Sequence, residues 1–226
     1  MSESIVAAIT KAAGRKSLFH FTRARNLPAI VHFDALWSSY RINREVAGER
    51  RENAVNVRYE DVSITINAHL RIPDRMLDAA TTQEQFRACL DRHVFFWPTL
   101  ADCQKMLATY ARREPDERFA VLEFDAYALL CGHDSNAKLS KYDSGSSPRF
   151  PSRCFYKKSP MMFLPLNRFK SVLNHTVPTK ASEIREVLIE DRVEDVTNYL
   201  RAVYVEQDED VPDCWRKLSR PLADLR

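Results

Sequence analysis

Glycine is scarce enough to constrain this chain before anything else. Gly14, Gly48, Gly132 and Gly145 are the only four among 226 residues, and none stands near another. Neither G-x-G-x-x-G nor G-x-x-x-x-G-K-S/T can be written from them, so the glycine-rich phosphate cradles of Rossmann and P-loop proteins are absent. A nucleotide would have to be held by other means. The length suits one large domain or two small ones, with room for a sizeable core, and we take 1–226 as a single domain.

Charge narrows the function classes only a little. The net charge is +3 with a pI near 8.6, which permits an anionic partner without demanding one. Five cysteines are scattered with no C-x-x-C spacing, the usage of reduced thiols in a cytoplasmic protein. No apolar stretch suits a signal peptide or a membrane span, so a cytoplasmic protein without membrane association is expected.

Apolar periodicity outlines the elements. Ser4–Ala13 reads as a short helix and Leu18–Thr22 as a strand. Asn26 stands where a helix cap belongs, ahead of the stripe Leu27, Ile30 and Val31. Strands are expected at Val62–Ile66, Val94–Trp97, Phe119–Phe124, Met161–Leu164 and Glu186–Ile189. Thr81 with Glu84, and Thr99 with Asp102, read as capping boxes. Val193, Val196, Leu200 and Val203 are spaced as on a helix, and Ser140–Arg153 has the composition of a loop. Helices and strands do not alternate regularly, which predicts an α+β fold with a mostly antiparallel or mixed sheet.

Each chemistry-bearing residue has a plain alternative. His20 alternates with Phe19 and Phe21 on its strand, so it faces away from them, as a core histidine or a site residue. Glu186 opens an apolar strand, where burial and nearby cations could tune a catalytic carboxylate or where it could simply mark an edge. The arginines of 41–58, including Arg50 and Arg51, suit a solvated loop or bidentate phosphate binding. Trp97 could end a core strand or stack on a flat ring. Cys131–Asp134 (CGHD) has no second ligand pair at metal spacing, and no G-x-S-x-G marks a nucleophile, so no metal is expected.

Several pieces together resemble the DarT-like ADP-ribosyltransferases. Leu18–Ile30 (LFHFTRARNLPAI) followed by Leu36–Ser38 (LWS) is similar to that family's opening strand, loop and helix. Arg50 and Arg51 resemble its arginine pair, and Leu90–Pro98 (LDRHVFFWP) its second aromatic strand. Ala181–Ile189 (ASEIREVLI) with Val193–Val196 (VEDV) resembles its closing strand and exit. The likeness is closer to an uncharacterised branch than to the DNA-modifying toxins. Ala35 replaces the usual glycine, and 55–90 is longer than in those toxins.

The resemblance implies a split β-sheet with flanking helices, the ADP-ribosyltransferase-like fold, with NAD as co-substrate in the cleft. It implies a glycosyltransferase activity in which Glu186 is catalytic. His20 would hydrogen-bond the adenosine-side ribose or the NAD backbone, Thr22 and Asn26 would line the nicotinamide and ribose pocket, Arg50 or Arg51 would meet the pyrophosphate, and Trp97 a ring. The acceptor would meet the loop bearing Lys141, Tyr142, Arg149 and Arg153, whose mix of cations and rings suits a single-stranded nucleic acid. A toxin or defence effector, with a possible antitoxin partner, is the expected setting. The rivals are a protein-directed transferase, an NAD glycohydrolase, and a non-enzymatic nucleic-acid or nucleotide-binding module of the same fold.

Overall fold

The computed structural model describes residues 2–148 and 150–225. Helix α1 (Ser2–Ile9) buries Val6 and Ile9 and stops short of the expected Ala13. Its end lies where the Thr10 backbone and hydroxyl both donate to the Val6 carbonyl. Strand β1 (Ser17–Arg23) leads through a short turn to α2 (Leu27–Phe33), then β2 (Ala35–Trp37) and α3 (Ser39–Ile42). The hairpin β3 (Val55–Tyr59) and β4 (Val62–Ile66) follows, then α4 (Gln83–Asp91), β5 (His93–Phe96) and the long helix α5 (Leu100–Arg113). The remainder is β6 (Phe119–Asp125), α6 (Ala126–Gly132), β7 (Ala137–Ser140), β8 (Phe163–Pro165), β9 (Glu186–Glu190), β10 (Arg192–Glu194), α7 (Val196–Tyr199), β11 (Leu200–Val205) and β12 (Ser219–Pro221).

The fold is α+β, built around two four-stranded sheets ordered β1-β6-β11-β12 and β5-β9-β7-β8. Every pairing in them is antiparallel except β11 with β12. The two sheets touch through Phe19 and Trp97, whose backbones exchange hydrogen bonds of 2.9 and 2.8 Å. Further along, β1 and β5 no longer pair. The Phe95 carbonyl is taken by the His20 ring instead, with Nδ1 at 2.8 Å. A side chain thus completes the backbone bonding where the sheet divides, and a cleft opens there without an unsatisfied carbonyl.

Alternation along β1 feeds two cores. Leu18 joins the large cluster with Phe96, Leu122 and Phe124. Phe19 and Phe21 pack instead with Trp97, Met106, Tyr110 and Phe119, under one face of α5. Thr99 caps α5 as its sequence predicts, accepting from the Asp102 amide at 3.2 Å. The cap of α4 falls one residue later than expected. Thr82, not Thr81, accepts from the amide of Gln85, whose side chain reaches back to the Thr82 amide at 3.0 Å. Thr82→Ala should therefore cost about 1 kcal/mol in urea denaturation, whereas Thr81→Ala should be near neutral.

Two other expectations are corrected. Leu200 and Val203 belong to β11, bonded to β6, rather than to a helix with Val193 and Val196. Asp195, at φ 53°, turns the chain between β10 and α7, and a bulge between Leu200 and Ala202 disturbs strict alternation. The bulge puts Leu200 and Val203 on one face at a helix-like spacing, while the turn at Asp195 separates Val193 in β10 from Val196 in α7. Asn26 precedes α2 but does not cap it. Its side chain bonds both backbone groups of Thr65 at 2.9 Å, tying β4 to the entrance of α2.

Candidate active site

The cleft between the sheets has a volume of about 220 Å³ and is lined by His20, Thr22, Asn26, Arg51, Trp97 and Glu186, among others. Six residues singled out from four separated segments therefore meet in one place. The side wall is aromatic: Phe33 and Trp37 line the cleft with ring centroids 4.3 Å apart, and Tyr59 closes on Trp37 at 4.5 Å. A mostly apolar wall with a few converging polar groups is the usual build of a small-molecule site.

Glu186 is the first residue of β9 and is buried. Its Oε2 accepts from the Ser144 amide at 3.0 Å and the Ser144 hydroxyl at 2.6 Å. No described residue donates to Oε1. Burial pushes this carboxyl up to about 8, and the Asp143 carboxylate adds to the rise; Ser144 and Lys158 pull the other way. Lys158 is fully buried, and its ammonium donates to the carbonyls of Ser146 at 2.6 Å and Ser144 at 2.9 Å, and to that of Asp143. Burial pushes Lys158 down, against the pull of Asp143 and Glu186. One buried ammonium thus faces two carboxylates. Lys158 acts on both carboxylates through space, but its ammonium bonds backbone carbonyls, and among the described residues it forms no ion pair with either.

His20 stands on the opposite wall. Exclusion of water pushes its ring down to about 4, against the opposing effect of its bond to Phe95. The ring is therefore neutral at pH 7, and with Nδ1–H on Phe95 its Nε2 is left as an acceptor. Arg51 is buried beside the cleft in a bidentate pair with Asp91, at 3.0 and 2.6 Å, and donates through Nε to the Asn67 carbonyl at 3.1 Å. Asp91 also receives His69 Nε2 at 3.0 Å and the Gly48 amide at 3.2 Å.

The matched family spans this whole arrangement. Residues 16–200 match the Family of unknown function (DUF7002), a span that holds every residue lining the cleft. The chain belongs to that family. No curated protein matches it. Among the described residues no group of three or more His, Cys, Asp or Glu side chains is arranged to hold a metal ion, and no helix is long and apolar enough to cross a membrane.

DUF7002 membership assigns no roles, so the other sequence-derived residues are located by geometry alone. Arg50 pairs with Glu52 at 2.8 Å and lines a second cavity beside the cleft. Lys141 pairs with Glu183 at 3.1 Å. Tyr142 stacks on Tyr156 at 3.7 Å and donates to the His175 carbonyl at 3.0 Å. Arg153 lies over the Phe150 ring at 5.3 Å. None of these four lines the cleft, and Arg149 lies outside the described residues. The loop reaches the cleft through Gly145 instead. Trp97 lines the cleft, but its ring already packs against Phe21 at 5.5 Å.

Neighbouring acids separate cleanly from Glu186. Glu183 accepts from the Thr179 amide at 2.8 Å, and these bonds with Lys141 hold it down at about 2. Glu190 is engaged by Lys138 at 2.8 Å, which lowers it too. Both acids are neutralised away from the cleft. Asp91 lies within the Leu90–Pro98 segment without standing out there, and His69, Ser144, Asp143 and Lys158 carry no sequence motif. Each matters through a partner far away in the chain, such as Asp91 with Arg51, 40 residues apart.

Proposed function

We propose that this chain is an NAD-dependent ADP-ribosyltransferase of DarT-like kind, a toxin or defence effector whose acceptor is a nucleic acid. The observation that carries the reading is Glu186: a buried carboxyl at the start of a strand, with one oxygen held by Ser144 and the other without a donor among the described residues, at the division of a split sheet. That division is the arrangement expected of the ADP-ribosyltransferase-like fold.

The chemistry asks for such a group. As the nicotinamide–ribose bond breaks, its electron pair goes to the ring nitrogen and positive charge develops on the ribose. A carboxylate held beside the ribose stabilises that charge and can accept the proton of the incoming nucleophile. Nicotinamide leaves neutral, so no general acid is needed. The neutral His20 acceptor suits a ribose hydroxyl, and the Phe33–Trp37 wall suits a flat ring. Arg51 is already committed to Asp91, so its contribution to the pyrophosphate is limited to the hydrogens that pair leaves free.

Incubation with NAD, followed by mass analysis of oligonucleotide, protein and water as acceptors, tests the reading. Nicotinamide release with a mass gain on an oligonucleotide is expected. Release with free ADP-ribose alone would make the chain a glycohydrolase, a mass gain on protein alone would make it protein-directed, and no release would leave a binding module.

A further inference from the structure

The second cavity, of about 750 Å³, adjoins the cleft and shares His69, Leu70, Leu90 and Gly145 with it. Four arginines line it: Arg50, Arg71, Arg75 and Arg87. Two of them have structural duties. Arg50 pairs with Glu52, and Arg87 donates to the Gly48 carbonyl at 2.8 Å and to Gln83 at 3.2 Å. Arg71 and Arg75 are exposed, and among the described residues neither guanidinium has a hydrogen-bond or ion-pair partner. The one carboxylate in the lining, Asp74, is occupied by the Gln83 amide at 2.8 Å. Leu70, Ile72 and Pro73 add apolar lining.

We infer that this recess is a nucleotide-phosphate subsite, with Arg71 and Arg75 as its principal anion ligands. Guanidinium groups bind phosphate oxygens in bidentate fashion, and two of them without acidic partners leave a positive potential unspent. Apolar lining beside them suits a base or sugar, so the recess fits a nucleotide unit better than an inorganic anion. The shared wall at Gly145 places that phosphate next to the chamber that holds Glu186. Its assignment to the acceptor rests on the transferase reading above; its binding of phosphate does not. The same chemistry fits a strand or a free nucleotide. It also relocates the acceptor contact from Lys141 and Tyr142, which are spent within the fold.

The test is made without NAD, so its failure is separable from failure of the transferase reading. Binding of a fluorescein-labelled short oligothymidylate is followed by anisotropy, and binding of AMP by calorimetry. The proteins are the wild type, Arg71→Ala/Arg75→Ala, and Arg112→Ala as an exposed arginine outside the recess. Thermal melting should be unchanged in both variants, because all three side chains are exposed. The double variant should bind the oligonucleotide about tenfold or more weakly, with a salt slope shallower by about one to one and a half, while Arg112→Ala binds like wild type. Loss confined to AMP would keep the subsite and make its source a free nucleotide. Wild-type affinity in the double variant, an equal loss in Arg112→Ala, or no binding of either probe to the wild type would overturn the inference.

Discussion

Glu186→Gln should lower nicotinamide release at saturating NAD by on the order of 10²–10³-fold, beyond a loss of about tenfold or more in NAD affinity at pH 7. The substitution keeps the shape of the side chain and an oxygen for the two Ser144 donors. It removes the negative charge that would meet the nicotinamide cation in the bound state and the ribosyl cation in the transition state, so affinity and turnover both fall. Glu183→Gln and Glu190→Gln are the controls, since both acids are paired outside the cleft. Glu190 lies on the same face of β9 but about 13 Å along it, at ~3.3 Å per residue. Near-wild-type release from Glu186→Gln would remove it from the catalytic role, and loss only in Glu183→Gln would move that role there.

Asp91→Ala should destabilise the fold by about 3–5 kcal/mol, as urea denaturation at pH 7 would read it. This carboxylate gathers Arg51, His69 and the Gly48 amide in a buried network. Truncation leaves the Arg51 guanidinium buried without its counter-charge. The pH dependence carries the sign. Burial raises Asp91, but the bonds from His69 and Arg51 outweigh it and the net shift is downward. A depressed carboxyl contributes stability above its unfolded value, and that contribution fades as pH falls through the folded value. The gap between wild type and Asp91→Ala should therefore narrow on acidification. A gap below about 1 kcal/mol at pH 7 would show that the network is not what fixes Arg51 at the cleft.

Local signals were legible where one short segment supplies its own partners. The Thr99 cap, the β1 alternation and the strand beginning at Glu186 depend on neighbours a few residues away. The α4 cap slipped by one because adjacent threonines offer nearly the same pattern, and only Thr82 has Gln85 at the reciprocal spacing in the folded chain. The helical spacing of Val193–Val203 comes from a strand, a turn at Asp195, the short helix α7 and a bulge after Leu200, which together mimic one period. Arg51 was visible as a residue, yet its partner Asp91 lies 40 positions on, beyond any local pattern. Lys158 sits between Lys157 and Ser159 and reads as a surface cation, but the loop at 143–146 folds its carbonyls around the ammonium. Those carbonyls satisfy its donors, and burial becomes tolerable only in the assembled structure. The basic loop misled in the opposite way, since Lys141 and Tyr142 find internal partners that composition cannot reveal.

On the proposed function Glu186 faces the cationic end of NAD, and proton release on binding is the sharpest measure of that contact. Burial holds its carboxyl up at about 8, so at pH 7 it is mostly protonated. A nicotinamide cation beside it would supply a close counter-charge, lower the carboxyl and expel the proton. Affinity for NAD should accordingly rise with pH until about 8 and then level. Calorimetric titration of NAD at pH 7, in two buffers of different ionisation enthalpy, counts the protons. Release of close to one proton per NAD is expected from the wild type and almost none from Glu186→Gln. Equal proton counts in the two proteins, or no NAD binding to the wild type, would contradict it.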